Sequence, residues 1–227
     1  MLNERNLYLS PEPFAAMPAT CRYRAQDKQP TVLSDIYQAE INIAIWQREL
    51  GATLQHSVKT FLALNPTFQK EMILTPQEAL SRVSESFDNN MTEVSEDIAE
   101  LVHMFCYLFE LKQVGMRLKV LDQAMCPKFH VDRVPCRLVT TYQGIATEWL
   151  PHEVIDHTKL GWGSNGLPDS ESGLYQSQSD IQQLGCGDVA LLKGTLWRGN
   201  ENAGLVHRSP GFPANEKRLI LTLDFIN

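Results

Sequence analysis

The sequence predicts an α+β fold, with helices in the first half of the chain and an antiparallel β-sandwich or barrel in the second. Up to residue 112 the apolar residues recur at helical spacing, and after Gly115 they alternate with polar residues, as in strands. No long helical pattern separates the later strands, which favours antiparallel pairing. We therefore expect a helical region at 1–112 and a β region at 113–227, packed as one compact unit.

The helical region begins with a proline-containing arm at residues 1 to about 30. Ser34 is a possible N-cap and Gly51 a usual stop signal, so a helix is expected between them. Thr75 and Glu78 have the spacing of a capping box at the start of another helix. The predicted helices are residues 34–50, 54–64, 75–87 and 94–114, the last with a wide apolar face.

The predicted strands are residues 116–122, 136–144, 188–194 and 217–225. In the last strand the alternation places Leu219, Leu221 and Leu223 on one face. The opposite face then carries Arg218, Ile220, Thr222 and Asp224. Before it lies a Gly- and Ser-rich stretch, residues 161–187, whose length is typical of a functional loop such as a lid. We expect residues 163–180 to be exposed and residues 155–186 to determine substrate selectivity.

Composition excludes several classes of protein. The net charge of −7 and the pI of about 5.4 argue against nucleic acid as the main partner, because phosphate binding needs a basic surface. No apolar run has the length of a membrane span, and the first residues lack the apolar core of an export signal. Five cysteines without a framework spacing indicate reduced thiols, so we expect a cytoplasmic protein. Neither the oligomeric state nor the substrate, a small molecule or a protein, is encoded in a readable motif.

Residues 124–142 contain a candidate metal site. His130 and Asp132 lie two apart, about 6.6 Å between Cα atoms in an extended strand, so their side chains can converge on one ion. Cys126 and Cys136 each lie roughly 13 Å from the nearer of the two in such a strand. The cysteines could join the same ion only if the chain bends. The geometry therefore favours the His130–Asp132 pair, with both cysteines predicted to be buried thiols.

Two later residues form, together with His130 and Asp132, a recognisable order along the chain. His207 follows the predicted strand 188–194, and Arg218 begins the last strand eleven residues later. This order resembles the Fe(II)/2-oxoglutarate-dependent dioxygenases, which have His-x-Asp, a distal His and then an Arg or Lys on the last core strand. The resemblance covers roughly residues 113–227. It implies a double-stranded β-helix, that is, a cupin-like jelly roll, with the N-terminal helices packed against it.

The resemblance also implies roles for individual residues. His130, Asp132 and His207 would bind Fe(II), and Arg218, with Thr222 beside it, would bind 2-oxoglutarate. The chain departs from the pattern at Ile220, where many members have Ser or Thr. The implied function is oxidation of a C–H bond in an unknown substrate.

The sequence is also similar to a bacterial family known only as a domain of unknown function and thought to be linked to zinc homeostasis. The alternative function is therefore a cupin-like, zinc-related metal-binding protein without oxygenase activity. In that case Cys126 or Cys136 would complete a four-ligand zinc shell. A third possibility is a binding module that holds no metal.

Weaker candidates surround these residues. The possible substrate-pocket residues are Arg137, Tyr142, Trp149 and Arg208. His152 and His157, five positions apart, suit neither a helix face nor a strand face, so we predict that they are surface histidines. His103 is predicted to be a helix histidine near the edge of the core.

Overall fold

The computed structural model describes residues 21–87, 91–211, 213 and 216–226. The predicted arm therefore lies outside the described residues up to position 20. The α-helices are α1 (Ala52–Leu64), α2 (Ala79–Ser86) and α3 (Thr92–Leu108). The strands are β1 (Tyr23–Asp27), β2 (Ile41–Trp46), β3 (Gln69–Leu74), β4 (Val114–Leu121), β5 (Cys136–Gln143), β6 (Glu148–Trp149), β7 (Gln182–Gln183), β8 (Val189–Lys193), β9 (His207–Arg208) and β10 (Arg218–Asp224).

These strands form two sheets in a mixed α/β fold. The large sheet has the order β1-β2-β8-β5-β10-β4-β3, and the small sheet has the order β7-β6-β9. All pairs are antiparallel except β1 with β2. Three strands before residue 112 occupy the two edges of the large sheet, and later strands fill its centre. The first region is therefore not purely helical, and the two regions share one sheet.

The predicted helix over 34–50 is wrong. The structure has a 3-10 helix at Pro30–Tyr37, followed by β2 at Ile41–Trp46. β2 is buried on both faces except at its last residue, so its sequence is a nearly continuous apolar run without alternation. Such a run is hard to distinguish from a buried helix by spacing, although its three isoleucines favour a strand.

The other predicted helices have counterparts in the structure. α1 confirms the prediction at 54–64. α3 confirms the prediction at 94–114 only as far as Leu108, since Val114 begins β4. α2 begins four residues after Thr75 because Pro76–Glu78 form a turn. They pack on one face of the large sheet, against Leu219, Leu221 and Leu223. No helix among the described residues is long and apolar enough to cross a membrane.

The opposite face of the large sheet looks towards the small sheet, and we call it the inter-sheet face. A second apolar cluster fills the space there, with Ile43, Val139, Trp149 and Ile220 among its members. Because Ile220 points this way, the alternation in β10 turns Arg218, Thr222 and Asp224 to the same side. The inter-sheet face is therefore where the predicted site residues of the last strand lie.

The stretch 161–187 is more ordered than an exposed loop. It contains 3-10 helices at Gly161–Ser164 and Gln178–Asp180. Leu174 and Tyr175 are buried in an apolar cluster with Phe129, next to His130. The expectation of an exposed lid is therefore wrong at Leu174 and Tyr175, although Trp162 is 100% exposed.

Candidate metal centre

His130, Asp132 and His207 come together beside the small sheet, and we call this group the candidate metal centre. Each offers one ligand atom, and these atoms lie within 4.8 Å of one another. The backbone of His130 pairs with that of His207 through two hydrogen bonds of 3.0 Å each. This bridge places the two rings 4.6 Å apart, although 77 positions separate the residues in the chain.

Backbone carbonyls orient both imidazoles. Nδ1 of His130 lies 2.9 Å from the carbonyl of Lys128, and Nδ1 of His207 lies 3.1 Å from that of Leu205. A carbonyl only accepts hydrogen bonds, so each Nδ1 is the protonated donor. In the neutral form of each ring Nε2 then carries the lone pair, which is the arrangement of most metal-ligating histidines. The two Nε2 atoms lie 3.7 Å and 3.4 Å from the carboxylate oxygens of Asp132.

The charge states suit a cation. Burial, then the charge of His207, lowers the pKa of His130, so its ring is neutral at neutral pH. Burial by itself would raise the pKa of Asp132, but interaction with His207 and the charge of Arg137 outweigh it and lower the pKa to about 2. Metal binding needs neutral imidazole and ionised carboxylate, and the pKa directions of His130 and Asp132 favour these forms.

Arg137 connects the centre to the last strand. Its Nη1 donates to Oδ2 of Asp132 at 2.6 Å, and its Nε and Nη2 donate to the two oxygens of Asp224 at 2.7 and 3.1 Å. Arg137 and Asp224 are opposite each other in the β5–β10 register, which makes this fork a cross-strand pair. Substrate binding by Arg137 stays a prediction, and in this structure its guanidinium is bound to two carboxylates.

Arg218 has a different environment, because none of its partners is charged. It is 0% exposed, and it donates to the hydroxyls of Thr141, Thr147 and Ser209 at 2.7–3.3 Å. No carboxylate of the described residues forms an ion pair with it. Burial lowers its pKa to about 10. Arg218 is therefore a buried cation with a ring of hydroxyls and no counter-charge within the described part of the chain.

Thr222 presents a second unusual group on the same face. Its side chain is 8% exposed, and its Oγ1 has no hydrogen-bond partner among the described residues. Buried hydroxyls nearly always have a partner, from the protein, water or a ligand. Thr140 also has an unpartnered Oγ1, but it is one residue from Thr141 along β5, so it faces the helices.

A model of one protein family matches residues 27–224, and its description is "Protein of unknown function (DUF1826)". The chain belongs to the DUF1826 family. No curated protein matches the sequence.

The DUF1826 chain is similar in backbone course to several solved structures. The dioxygenase for auxin oxidation 1 from Arabidopsis thaliana, solved with 2-oxoglutarate, has 8% identity and a TM-score of 0.47 over 91% of this chain and 92% of that one. The rice dioxygenase for auxin oxidation has 11% identity and a TM-score of 0.48, with 83% and 74% covered. A Pseudomonas putida prolyl-4-hydroxylase has 11% identity and a TM-score of 0.41, with 86% and 96% covered. Likeness of this size carries no information about chemistry.

The remaining pocket candidates of the DUF1826 chain are structural. Tyr142 lies on the helical side of the large sheet, where its hydroxyl donates to Asp97 of α3 at 2.6 Å. Trp149 is buried in the inter-sheet cluster. Arg208 forms ion pairs with Glu148 at 2.6 Å and Asp169 at 3.2 Å. Substrate binding by Tyr142, Trp149 and Arg208 stays a prediction, and in the ligand-free chain Tyr142 and Arg208 have the partners given above.

Neither cysteine of the stretch 124–142 belongs to the candidate metal centre. Cys136 is fully buried among the apolar residues on the helical side of the sheet, and burial raises its pKa. Cys126 is exposed, contrary to the prediction of a buried thiol, because residues 122–128 form no strand. Within the described residues, the group that could hold a metal includes neither thiol. The four-ligand zinc shell expected for the alternative function is therefore not formed.

The other histidine predictions also differ from the structure. His103 is exposed on α3, so it lies further from the core than predicted. His152 and His157 are not isolated surface residues, because their rings lie 4.6 Å apart and are partly buried. Sequence patterns also missed Asp224, Ser209 and Thr147, since cross-strand contacts alone define their positions.

Proposed function

We propose that the chain is a non-haem Fe(II)/2-oxoglutarate-dependent oxygenase that acts on a small-molecule or protein substrate. The observation that carries this proposal is the buried, counter-charge-free guanidinium of Arg218 near a His–Asp–His group. A His–Asp–His group by itself suits several metals, and a buried guanidinium by itself suits many anions. Together they supply a site for one metal ion and a site for the far carboxylate of a dicarboxylate cosubstrate.

The donor set fits Fe(II). Two neutral imidazoles and one carboxylate form the facial arrangement that leaves coordination positions open in non-haem iron oxygenases. His130, Asp132 and His207 would hold the ion, with the two Nε2 atoms and an oxygen of Asp132 as donors. When bound, Fe(II) with 2-oxoglutarate and O₂ supplies the oxidising power to hydroxylate a C–H bond.

Arg218 fits the distal carboxylate. A buried charge without a partner is strongly unfavourable, and an anionic ligand would supply the missing counter-charge. Ser209, which accepts from Arg218, is two residues beyond His207, a step of about 6.6 Å along an extended chain. Both ends of one small dicarboxylate can therefore be held. The hydroxyls of Thr141 and Thr147 accept from Arg218 and can still donate their own protons to the bound carboxylate. They would therefore take the place of the hydroxyl that is absent at Ile220.

Our proposal for the fold rests on the arrangement of the two sheets. We infer that the two sheets are the facing halves of a double-stranded β-helix, with the ligands at its open end. The inter-sheet apolar cluster and the bridge between His130 and His207 support this arrangement. The N-terminal strands then extend the large sheet at both edges.

Anaerobic titration with 2-oxoglutarate tests the function. The Fe(II)-loaded protein should develop the visible metal-to-ligand charge-transfer band of a chelated 2-oxo acid. Loss of the Arg218 guanidinium, as in Arg218→Gln, should weaken cosubstrate binding about 10- to 150-fold, because a hydrogen bond to a charged group contributes about 1.5–3 kcal/mol. Arg218→Lys should recover only part of this affinity, because an ammonium cannot form the planar fork.

Arg208→Lys is the matched control, since Arg208 is next to His207 in sequence but is paired with Glu148 and Asp169. It should leave the titration unchanged. Absence of the band in the wild-type protein at millimolar 2-oxoglutarate would contradict the proposed function.

A further inference from the structure

Four buried side-chain polar atoms lack a hydrogen-bond partner among the described residues. Two of them are the threonine hydroxyls of positions 140 and 222, and the other two are ring nitrogens of one histidine pair, Nδ1 of His152 and Nε2 of His157. Buried polar atoms are rarely left unsatisfied. Two in a single pair of side chains, outside the candidate metal centre, indicate that something absent from the protein chain binds there.

The geometry of this pair matches that of the candidate metal centre. The rings of His152 and His157 have centroids 4.6 Å apart and planes inclined at 47°. The rings of His130 and His207 have centroids 4.6 Å apart and planes inclined at 48°. Zinc–nitrogen bonds of about 2.0–2.1 Å in a tetrahedral site place two ligand nitrogens roughly 3.4 Å apart, a span that rings at this separation can provide.

The local backbone structure explains why His152 and His157, five positions apart, lie close together. Each histidine begins a one-turn 3-10 helix, His152–Val154 and His157–Lys159. Asp156 joins the two turns by accepting hydrogen bonds from the backbone N–H and hydroxyl of Thr158 at 3.0 and 2.6 Å. The backbone N–H of Asp156 also donates to the carbonyl of Leu174 at 2.9 Å. The pair is therefore held in place by backbone structure before any ligand arrives.

The charges near the pair are of both signs. Glu153 and Asp156 are exposed, and each is adjacent in sequence to one of the histidines. Both raise the basicity of the ring that they approach, whereas the guanidinium of Arg22 opposes it at His152. That guanidinium is bound to Asn200 and to the carbonyl of Gly199. Burial is the main cause that lowers the pKa of both histidines, so both rings are neutral at neutral pH.

We propose that His152 and His157 bind a second metal ion, of the class that prefers imidazole nitrogen, such as Zn²⁺, Ni²⁺ or Cu²⁺. Nδ1 of His152 and Nε2 of His157 are the ligand atoms. No third His, Cys, Asp or Glu of the described residues has a ligand atom close enough to join the pair, so water would fill the remaining positions. A cavity of about 390 Å³ borders His152, and its lining includes Glu153, Arg22 and Arg24. This site does not depend on the proposed oxygenase function.

Zinc stoichiometry tests the proposal. Equilibrium dialysis of the full-length protein against Zn²⁺ at neutral pH, followed by metal analysis, should give one ion more per chain for the wild type than for His157→Gln. Any ion at the candidate metal centre contributes equally to both proteins, so the difference isolates the pair. His152→Gln should show the same loss. His103→Gln, which removes an exposed histidine on α3, should show none.

Equal stoichiometry in the wild type and His157→Gln would overturn the proposal and would mean that the two nitrogens bind only water. A loss as large in His103→Gln would overturn it too, since the binding would then be weak surface adsorption. Because a variant could unfold, anomalous diffraction from wild-type crystals soaked in Zn²⁺ provides a measurement without mutation. A peak between the two rings is expected, and its absence would overturn the proposal.

Discussion

At the scale of single residues, we expect a large effect on stability at Arg137. It bridges two carboxylates, Asp132 and Asp224, and none of the three side chains is more than 16% exposed. Arg137→Gln leaves Asp132 without its arginine and Asp224 with only the more exposed Arg117, and breaking a buried ion pair by removing one partner costs about 3–5 kcal/mol. We expect a loss of that size in the free energy of unfolding, measured by urea denaturation.

Two further variants distinguish ion pairing from general packing. Arg117 also contacts Asp224, at 3.2 Å, but its side chain is 45% exposed. Arg117→Gln should therefore cost only about 0–1 kcal/mol. The double change Arg137→Gln with Asp224→Asn should recover part of the loss, because it removes one uncompensated charge. A double variant less stable than Arg137→Gln would contradict this account.

Thr222 provides the second prediction at this scale. Its unpartnered hydroxyl faces the inter-sheet space, so a bound ligand is its remaining source of a hydrogen bond. Thr222→Val should lower the affinity for 2-oxoglutarate about 2- to 13-fold, from a net hydrogen-bond contribution of about 0.5–1.5 kcal/mol. The stability of the ligand-free protein should change little. Thr140→Val is the matched control, and an equal effect there would mean that neither hydroxyl contacts the ligand.

At the scale of elements, the stretch 161–187 is connected to the candidate metal centre through Asp169. Its Oδ2 accepts from the backbone N–H of Phe129 at 2.9 Å and from Arg208 at 3.2 Å. Phe129 is next to His130, and its ring lies under the guanidinium of Arg208, 4.3 Å away. We expect Asp169→Ala to release this stretch and increase its cleavage rate in limited proteolysis several-fold.

Glu171→Ala is the control for that experiment, because Glu171 is exposed on the same stretch. Its cleavage rate should match that of the wild type. If Asp169→Ala leaves the cleavage pattern unchanged, the burial of Leu174 and Tyr175 alone holds the stretch in place.

Sequence patterns predicted those elements that have one buried face. α3 has a wide apolar face, and β4 alternates buried with exposed or partly buried residues, so their spacing was informative. β2 is buried on both faces, and its spacing could not distinguish a strand from a helix. Interior position in a sheet depends on strand order, which local spacing does not encode.

Sequence patterns likewise predicted some residues of the candidate site and missed others. His130 and Asp132 are close in sequence, and a known residue order pointed to His207 and Arg218. The partners of Arg218 come from other parts of the chain: Thr141 of β5, Thr147 just before β6 and Ser209 just after β9. Their contacts arise from strand register, so no short motif marks them.

At the scale of the whole molecule, the order of the large sheet determines how the chain can be divided. β10 lies between β5 and β4, and β4 is paired with β3 from the first region. On the other side, β8 is paired with β2. Separating the chain near residue 112 would expose strand edges on both pieces, so neither region keeps a complete sheet. The metal ligands therefore depend on strands from the whole described chain.

Three partly buried histidines make the free energy of unfolding depend on pH. Burial is the largest cause that lowers the folded-state pKa of His130, His152 and His157 below the ordinary value of 6.5. Below pH 6.5 the unfolded chain therefore binds more protons than the folded chain, and the free energy of unfolding falls as the pH falls. From about one pH unit above 6.5 these groups are mostly neutral in both states and contribute little slope.

Urea denaturation of the metal-free protein between pH 5 and pH 8 should therefore show a plateau at the alkaline end and a decline below about pH 6.5. The double variant His152→Gln with His157→Gln removes two of the three groups, so its decline should be shallower than that of the wild type. His103→Gln should reproduce the wild-type curve, since His103 is exposed on α3. Asp132, with its pKa lowered to about 2, loses its contribution only at much lower pH and does not overlap this window. An unchanged slope in the double variant would show that the pair is not the source of the acid sensitivity.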